Sequence, residues 1–221
     1  MTVEALISTT TPPLKRVDTA EYALGLMMEL HVRHLPVIDD DRHVIGLFSE
    51  EQMLDASGPA ALMESLLGPE PITVSPNAHV FEVTSVMLEH NLTTVPVADE
   101  KGNYIGLVRR NDLFEWFARM LATHEPGAIL SIEVEERDYA LSQLIYAIEQ
   151  NDVRVLSLTS EPSELHPDRI CVTLKLNTKD ASRVRHLLEH HGYRVVAAFG
   201  EDEDEQDLAD RVQEFMRYLE F

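Results

Sequence analysis

His186-Leu187-Leu188-Glu189-His190 is the stretch whose residue types point most directly to chemistry. Two imidazoles one helical turn apart, with a carboxylate beside them, supply two of the three protein ligands that a catalytic zinc takes. The same helix carries Ala181, Val184 and Leu188 on one face, however, and burying that face turns both histidines outward. No metal centre is therefore expected. His31 and His34 lie three apart before an apolar run, where packing or cleft lining suits them better than metal binding. The single cysteine, Cys171, cannot close an internal disulfide. It sits in the apolar, strand-like run 170–176, where a buried structural thiol is expected rather than a nucleophile. The chain has no Gly-x-Ser-x-Gly elbow, Walker A loop or Cys-x-x-Cys pair, so catalysis is not expected.

Charge narrows the remaining classes. The 221 residues carry 18 Lys+Arg against 39 Asp+Glu, a formal net charge of −21. That field repels phosphate backbones and anionic lipid, which argues against a nucleic-acid or membrane-surface role. An anionic small molecule needs a local reversal of the field, and Arg109-Arg110, the only adjacent arginine pair, supplies one beside Asp112. The same residues have a plainer use, Asp112 capping a helix that starts at Leu113 and the arginines pairing with nearby carboxylates. Hydrophobic content of 44% predicts packed cores. No apolar run approaches membrane-spanning length and residues 1–13 show no signal-peptide pattern, so a cytoplasmic protein is expected.

An internal repeat positions these groups. His34-Leu35-Pro36-Val37-Ile38-Asp39 returns 60 residues on as Thr94-Val95-Pro96-Val97-Ala98-Asp99, and Ile45-Gly46-Leu47 returns as Ile105-Gly106-Leu107. Ala20, Ala23, Leu24, Met27 and Met28 mark one helical face before the first copy; Val80, Val83, Met87 and Leu88 do so before the second. Each copy closes with a further helix, over 50–56 and 111–122, the second bearing Phe114, Trp116 and Phe117 as a core or dimer-interface anchor. The pattern predicts a β-α-β-β-α unit used twice, its leading strand clearest at 72–74. Two such units packed face to face share one core and leave clefts between them, where ligands bind. Glycine in each return strand lets another backbone or a flat ligand approach closely.

The run from Arg33 to Asp39, followed by Val44-Ile45-Gly46-Leu47-Phe48-Ser49, resembles the cystathionine-β-synthase (CBS) domain. The likeness covers about 1–122 as a tandem pair, or Bateman module, with domains at 1–60 and 61–124. It implies an adenine nucleotide (AMP, ADP or ATP) or S-adenosylmethionine in the clefts, with no cofactor required. The family pattern Gly-hydrophobic-x-Ser/Thr-x-x-Asp sets a hydroxyl and a carboxylate at the ribose and phosphate. Carried onto this chain, the likeness implies a site from Pro36, Val37, Gly46, Ser49 and Gln52 in the first copy. In the second it implies Thr73, Pro96, Val97, Gly106, Arg109, Arg110 and Asp112. The first copy replaces the family Asp by Gln52, and the second replaces the hydroxyl by Arg109.

Glu125-Pro126-Gly127 punctuates the chain, and the pattern then changes. Strands at 128–135, 153–159, 170–176 and 193–199, with helices around Leu144 and Val184, give the order β-α-β-β-α-β of a ferredoxin-like split sandwich. Over 126–200 that order resembles the ACT domain, and CBS-CBS-ACT is similar to AcuB-type proteins of acetoin utilisation. Amino-acid binding by ACT domains uses a glycine turn; here Asp138 matches an acidic family position with no glycine beside it. Residues 201–221 read as an acidic linker and an amphipathic helix with Leu208, Val212, Phe215 and Leu219. The fold class expected is α+β: a tandem CBS pair, an ACT-like domain and a C-terminal helix. The function expected is that of a non-catalytic, homodimeric regulator with a protein partner. The alternatives are a ligand-free oligomerisation module and an ACT-centred amino-acid sensor.

Overall fold

The computed structural model describes residues 1–53, 58–67, 71–163 and 166–200, and only the backbone of Met53 and Asp138. Residues 54–56 of the helix expected over 50–56, the acidic linker and the tail helix lie outside them. The chain divides into two compact units, Met1–Trp116 and Phe117–Phe221.

In the first unit, β1 (Leu14–Lys15), α1 (Ala20–Leu30), β2 (His34–Ile38) and β3 (Val44–Ser49) form one copy of the repeat. The second copy comprises α2 (Val80–Glu89), β4 (Thr94–Ala98), β5 (Tyr104–Arg109) and α3 (Arg110–Met120), along which the division between units falls. Thr19 starts α1 by accepting the Tyr22 N–H, and left-handed residues His31 and Asn91 end α1 and α2 at equivalent places. Asp39 accepts the N–H groups of Asp41 and His43 to close one hairpin, as Asp99 does from Lys101 and Asn103 in the other. Ala20, Ala23 and Met27 are buried, as are Val80, Val83 and Met87. Met28 and Leu88 are exposed instead: each adjoins a core residue but points about 100° around the helix from it. The leading strand is also the reverse of expectation. It is present in the first copy, where Leu14 and Lys15 pair parallel with Val37 and Ile38, and reduced in the second to a bridge from Val74 to Val97.

The two copies exchange their leading segments. Thr2 bridges His79 as Leu62 bridges Thr19; Val3 N–H donates to the Ala78 carbonyl as Met63 N–H does to that of Asp18. Ala20 N–H reaches the Ala61 carbonyl, and Val80 N–H that of Met1. The hairpin tips meet in the same reciprocal way, Val44 N–H to Gly102 and Tyr104 N–H to Arg42. Every one of these pairs maps onto its mate by a shift of 60 residues, which is the signature of a local twofold axis. On that seam Thr94, fully buried, donates its hydroxyl to the His34 carbonyl at 2.7 Å. Thr94→Val keeps the shape and removes the donor. It is expected to lower unit stability by about 1 kcal/mol in a urea titration, with unchanged m-value.

The second unit holds β6 (Ile129–Glu135), α4 (Leu141–Glu149), β7 (Val155–Pro162), β8 (Arg169–Leu176), α5 (Ser182–His190) and β9 (Arg194–Phe199). Its antiparallel sheet has the order β7-β8-β6-β9, the ferredoxin-like arrangement. Ala128, Leu130, Ile132 and Val134 of the first strand region meet Val172, Leu174 and Leu176 and the helix residues Leu144, Ile148, Val184 and Leu188 in one core. Pro162, expected in a loop, ends β7, an edge strand where its missing N–H deprives no neighbour. Cys171 alternates away from the core, opposite Glu133, and is half-buried rather than a core thiol. Burial and the nearby Glu161 push its pKa up, which keeps it protonated.

Candidate functional site

A cleft of about 160 Å³ lies on the local axis of the first unit. Arg33 and its counterpart Thr93 line it, as do Glu50 and its counterpart Arg110, with Ser49 and Glu51 beside them. The ends of β3 and α2 and the start of α3 put these groups there, because each return strand runs back to the seam. Arg33 N–H donates to Thr93 Oγ1 at 2.8 Å, and Thr93 N–H donates to Nδ1 of His34 at 3.2 Å. Burial, with Arg110 and Arg33 nearby, pushes the His34 pKa down against the pull of Glu51 and Glu50. A neutral ring accepting at Nδ1 fits both facts.

Of the twelve residues implied by the resemblance, this cleft brings together Ser49 and Arg110. The others are placed as follows. Pro36, Val37, Pro96 and Val97 are buried in β2 and β4, with Val37 opposite Gly46 and Val97 opposite Gly106. Thr73 is exposed, one residue before the Val74 bridge. Gln52 and Ser49 form a reciprocal capping box: Ser49 N–H donates to Gln52 Oε1 at 2.7 Å, and Gln52 N–H to Ser49 Oγ at 3.3 Å. The Gln52 amide also donates to the Leu66 carbonyl, so it holds the segment before the second copy in place. Arg109 and Asp112 form a two-bond ion pair at 2.8 and 2.9 Å. The helix here begins at Arg110, so Asp112 lies within its first turn instead of capping a start at Leu113. Arg110 reaches the Leu92 carbonyl through two N–H groups, fixing the end of α2.

Both return-strand glycines admit a close neighbour, and that neighbour is the protein itself. A Cβ at Gly46 would meet Leu67 at 2.6 Å; one at Gly106 would meet Ile7 at 2.5 Å and the Ser8 carbonyl oxygen at 2.7 Å. Leu67 and Ile7 are again 60 residues apart, members of the exchanged segments. Trp116 is half-buried and donates Nε1–H to Met1 Sδ, whereas Phe114 is exposed and anchors nothing in the core. His186, Glu189 and His190 are exposed on α5, and no group of three His, Cys, Asp or Glu suited to a metal occurs among the described residues. No helix among them is long and apolar enough to cross a membrane. Arg33, Glu50, Glu51 and Thr93 were not singled out from the sequence as site residues. The repeat shift, which sets Thr93 opposite Arg33 and Arg110 opposite Glu50, is the signal that could have found them.

The CBS domain family matches residues 3–58 and 63–119. An inosine-5'-monophosphate dehydrogenase from Korarchaeum cryptofilum is 31% identical over 115 residues, 52% of this chain; the chain spans 24% of that enzyme's length. Two solved structures share the fold at a TM-score of 0.50. One is a CBS domain pair/ACT domain protein from Thermotoga maritima, 21% identical, with 55% of this chain and 99% of that one covered. The other is AcuB from Vibrio cholerae, 22% identical, with 56% and 95% covered. With both copies of the repeat matched over more than half of the 221 residues, the chain belongs to the CBS domain family.

Proposed function

We propose that this protein is a non-catalytic regulator whose CBS pair senses an adenosyl ligand and whose ferredoxin-like unit, read as an ACT-like domain, associates with a second copy. The observation that carries the reading is the cleft on the local axis, where Ser49 of one copy and Arg110 of the other line the same space. A ligand there touches both copies at once, so it favours whichever packing of the two fits it, and a regulated protein partner reads that packing. Arg33 and Arg110 are balanced in the lining by Glu50 and Glu51. Each further phosphate adds repulsion in a chain of net charge −21, so AMP and S-adenosylmethionine are favoured over ADP and ATP. Association is supported by the edge strand β9, which exposes Val196 and Phe199.

A second reading, a structural module without ligand, is favoured by the Arg109–Asp112 pair and by the segments covering Gly46 and Gly106. Calorimetric titration of the full chain with AMP, ADP, ATP and S-adenosylmethionine separates the two. Arg110→Gln removes a positive charge that lines the cleft; it is expected to weaken binding of AMP by about tenfold, the worth of one hydrogen bond to a charged group. No heat and no thermal shift with any of the four ligands, in either protein, sinks the sensor and leaves the module.

A further inference from the structure

One end of the seam between the two copies depends on a single imidazole. Arg33 N–H donates to Thr93 Oγ1, and Thr93 N–H donates to Nδ1 of His34; Thr93 Oγ1 also stands 3.0 Å from that nitrogen. With the hydroxyl oxygen accepting from Arg33, its hydrogen points at the ring. Nδ1 thus receives two donors and must carry no proton of its own, which leaves the proton of the neutral ring on Nε2. A further seam bond, from Thr94 Oγ1 to the His34 carbonyl, holds the same residue through its backbone. The 60-residue shift maps Arg33 onto Thr93 and His34 onto Thr94, so the two pairs meet on the local axis. Neither threonine takes up a proton in water, and the titratable member of this contact therefore lies on one side of the axis only.

A proton on Nδ1 sets two donors face to face. The Thr93 hydroxyl can rotate and accept, but the Thr93 backbone N–H cannot, and it is left without an acceptor at a half-buried position. Charged groups surround the ring on every side. Arg33 precedes β2, Glu50 and Glu51 follow β3, His90 ends α2 and Arg110 starts α3. Arg33 is bound to Glu50 at 2.7 Å, and Arg110 to the Leu92 carbonyl. With two guanidiniums set against two carboxylates, burial decides, and it disfavours the imidazolium. We propose that His34 is a proton-operated latch between the two copies: neutral, it grips Thr93 and closes the seam; protonated, it releases Thr93 and loosens the pair. The unfolded chain takes up the proton first as pH falls, so the latch contributes fully above about pH 6.5 and progressively less below it. Asp39, Asp99, Asp180 and Glu133, all held below their ordinary values, act at lower pH. The latch is made of protein groups alone and is independent of the adenosyl reading.

The test is amide hydrogen exchange combined with nitrogen NMR of the imidazole rings, on the full chain, between about pH 7.5 and about pH 5. The His34 ring is expected to show a bare Nδ1 and a protonated Nε2 at the upper end, and to take its second proton within this span. Protection of the Thr93 amide, corrected for the intrinsic pH dependence of exchange, is expected to fall by about tenfold as it does so. His34→Gln supplies an amide oxygen that accepts the Thr93 N–H and takes up no proton, so its Thr93 protection is expected to stay constant within about twofold. The wild-type spectra read the tautomer directly, which keeps the proposal open to refutation even where His34→Gln unfolds. A proton on Nδ1 at the upper end overturns it, as does a ring that stays neutral throughout. Unchanged Thr93 protection after the ring has taken its proton overturns it as well. An equal acid response in folded His34→Gln does the same and assigns the effect to another histidine.

Discussion

Gly106→Ala is expected to destabilise the CBS pair by about 3 kcal/mol, while the same change at its repeat counterpart Gly46 costs less than about 1 kcal/mol. The two positions are equivalent in sequence and in strand register, Gly46 opposite Val37 and Gly106 opposite Val97. What differs is the atom met by a new methyl group. At Gly46 it is the Cδ2 end of the Leu67 side chain, which can rotate away. At Gly106 it is also the carbonyl oxygen of Ser8, at 2.7 Å. That oxygen accepts the Leu107 N–H at 3.1 Å, and Ser8 N–H donates to the Leu107 carbonyl at 2.8 Å. The segment cannot retreat without losing both bonds, each worth about 1 kcal/mol, in addition to the strain of overpacking. Urea titrations of the two variants compare them directly. Hydrogen exchange at Ser8 and Leu107 should accelerate in Gly106→Ala alone. Equal loss in both variants would show that the exchanged segments do not discriminate the two clefts.

Glu133→Ala should lower the stability of the ferredoxin-like unit by about 2–3 kcal/mol, because it leaves two arginines facing each other without their shared carboxylate. The lower end applies if solvent screens them well, since the Arg169 and Arg194 side chains are 28% and 58% exposed while that of Glu133 is 6% exposed. The same cluster predicts a pH dependence. The Ser163 hydroxyl, then His166 and Arg194, hold the Glu133 carboxyl below its ordinary value of 4.5 against the opposing effect of burial. A depressed native pKa means that the unfolded chain binds its proton first as pH falls. The contribution is therefore complete above about pH 4.5 and is lost as pH falls through the native value. Thermal melts from pH 6 downwards, wild type against Glu133→Ala, should converge at the acid end. A constant gap between the curves would refute the assignment.

Much of this architecture is legible in the residues. The 60-residue repeat is carried by strong local signals: Pro-Val strands, Asp-led turns and a helical stripe in each copy. Alternation in 128–135 and 170–176 likewise locates the central strands of the second unit, because one face of each is buried. Met28 and Leu88 mislead because apolar type alone does not say which side of a helix is covered. The leading strands mislead for a related reason: strand content there is set by which backbone lies alongside, and Leu14 finds Val37 while 72–73 find no ladder.

The candidate sites are where sequence stops sooner. Residue types and spacing alone determine the CBS repeat, the ferredoxin-like order of the second unit and the departures at Gln52 and Arg109. Only the tertiary structure decides that the segment before each copy crosses to cover the other, so that Ile7 and Leu67 lie over the two glycines. It also decides that Arg109 meets Asp112, that Gln52 closes a capping box, and that Glu133 gathers donors from 163, 166, 169 and 194. The physical reason is the range of the forces. Helices, turns and alternation arise from neighbours within a few residues, whereas these contacts close loops of up to about a hundred residues and are chosen by what the packed surfaces leave open.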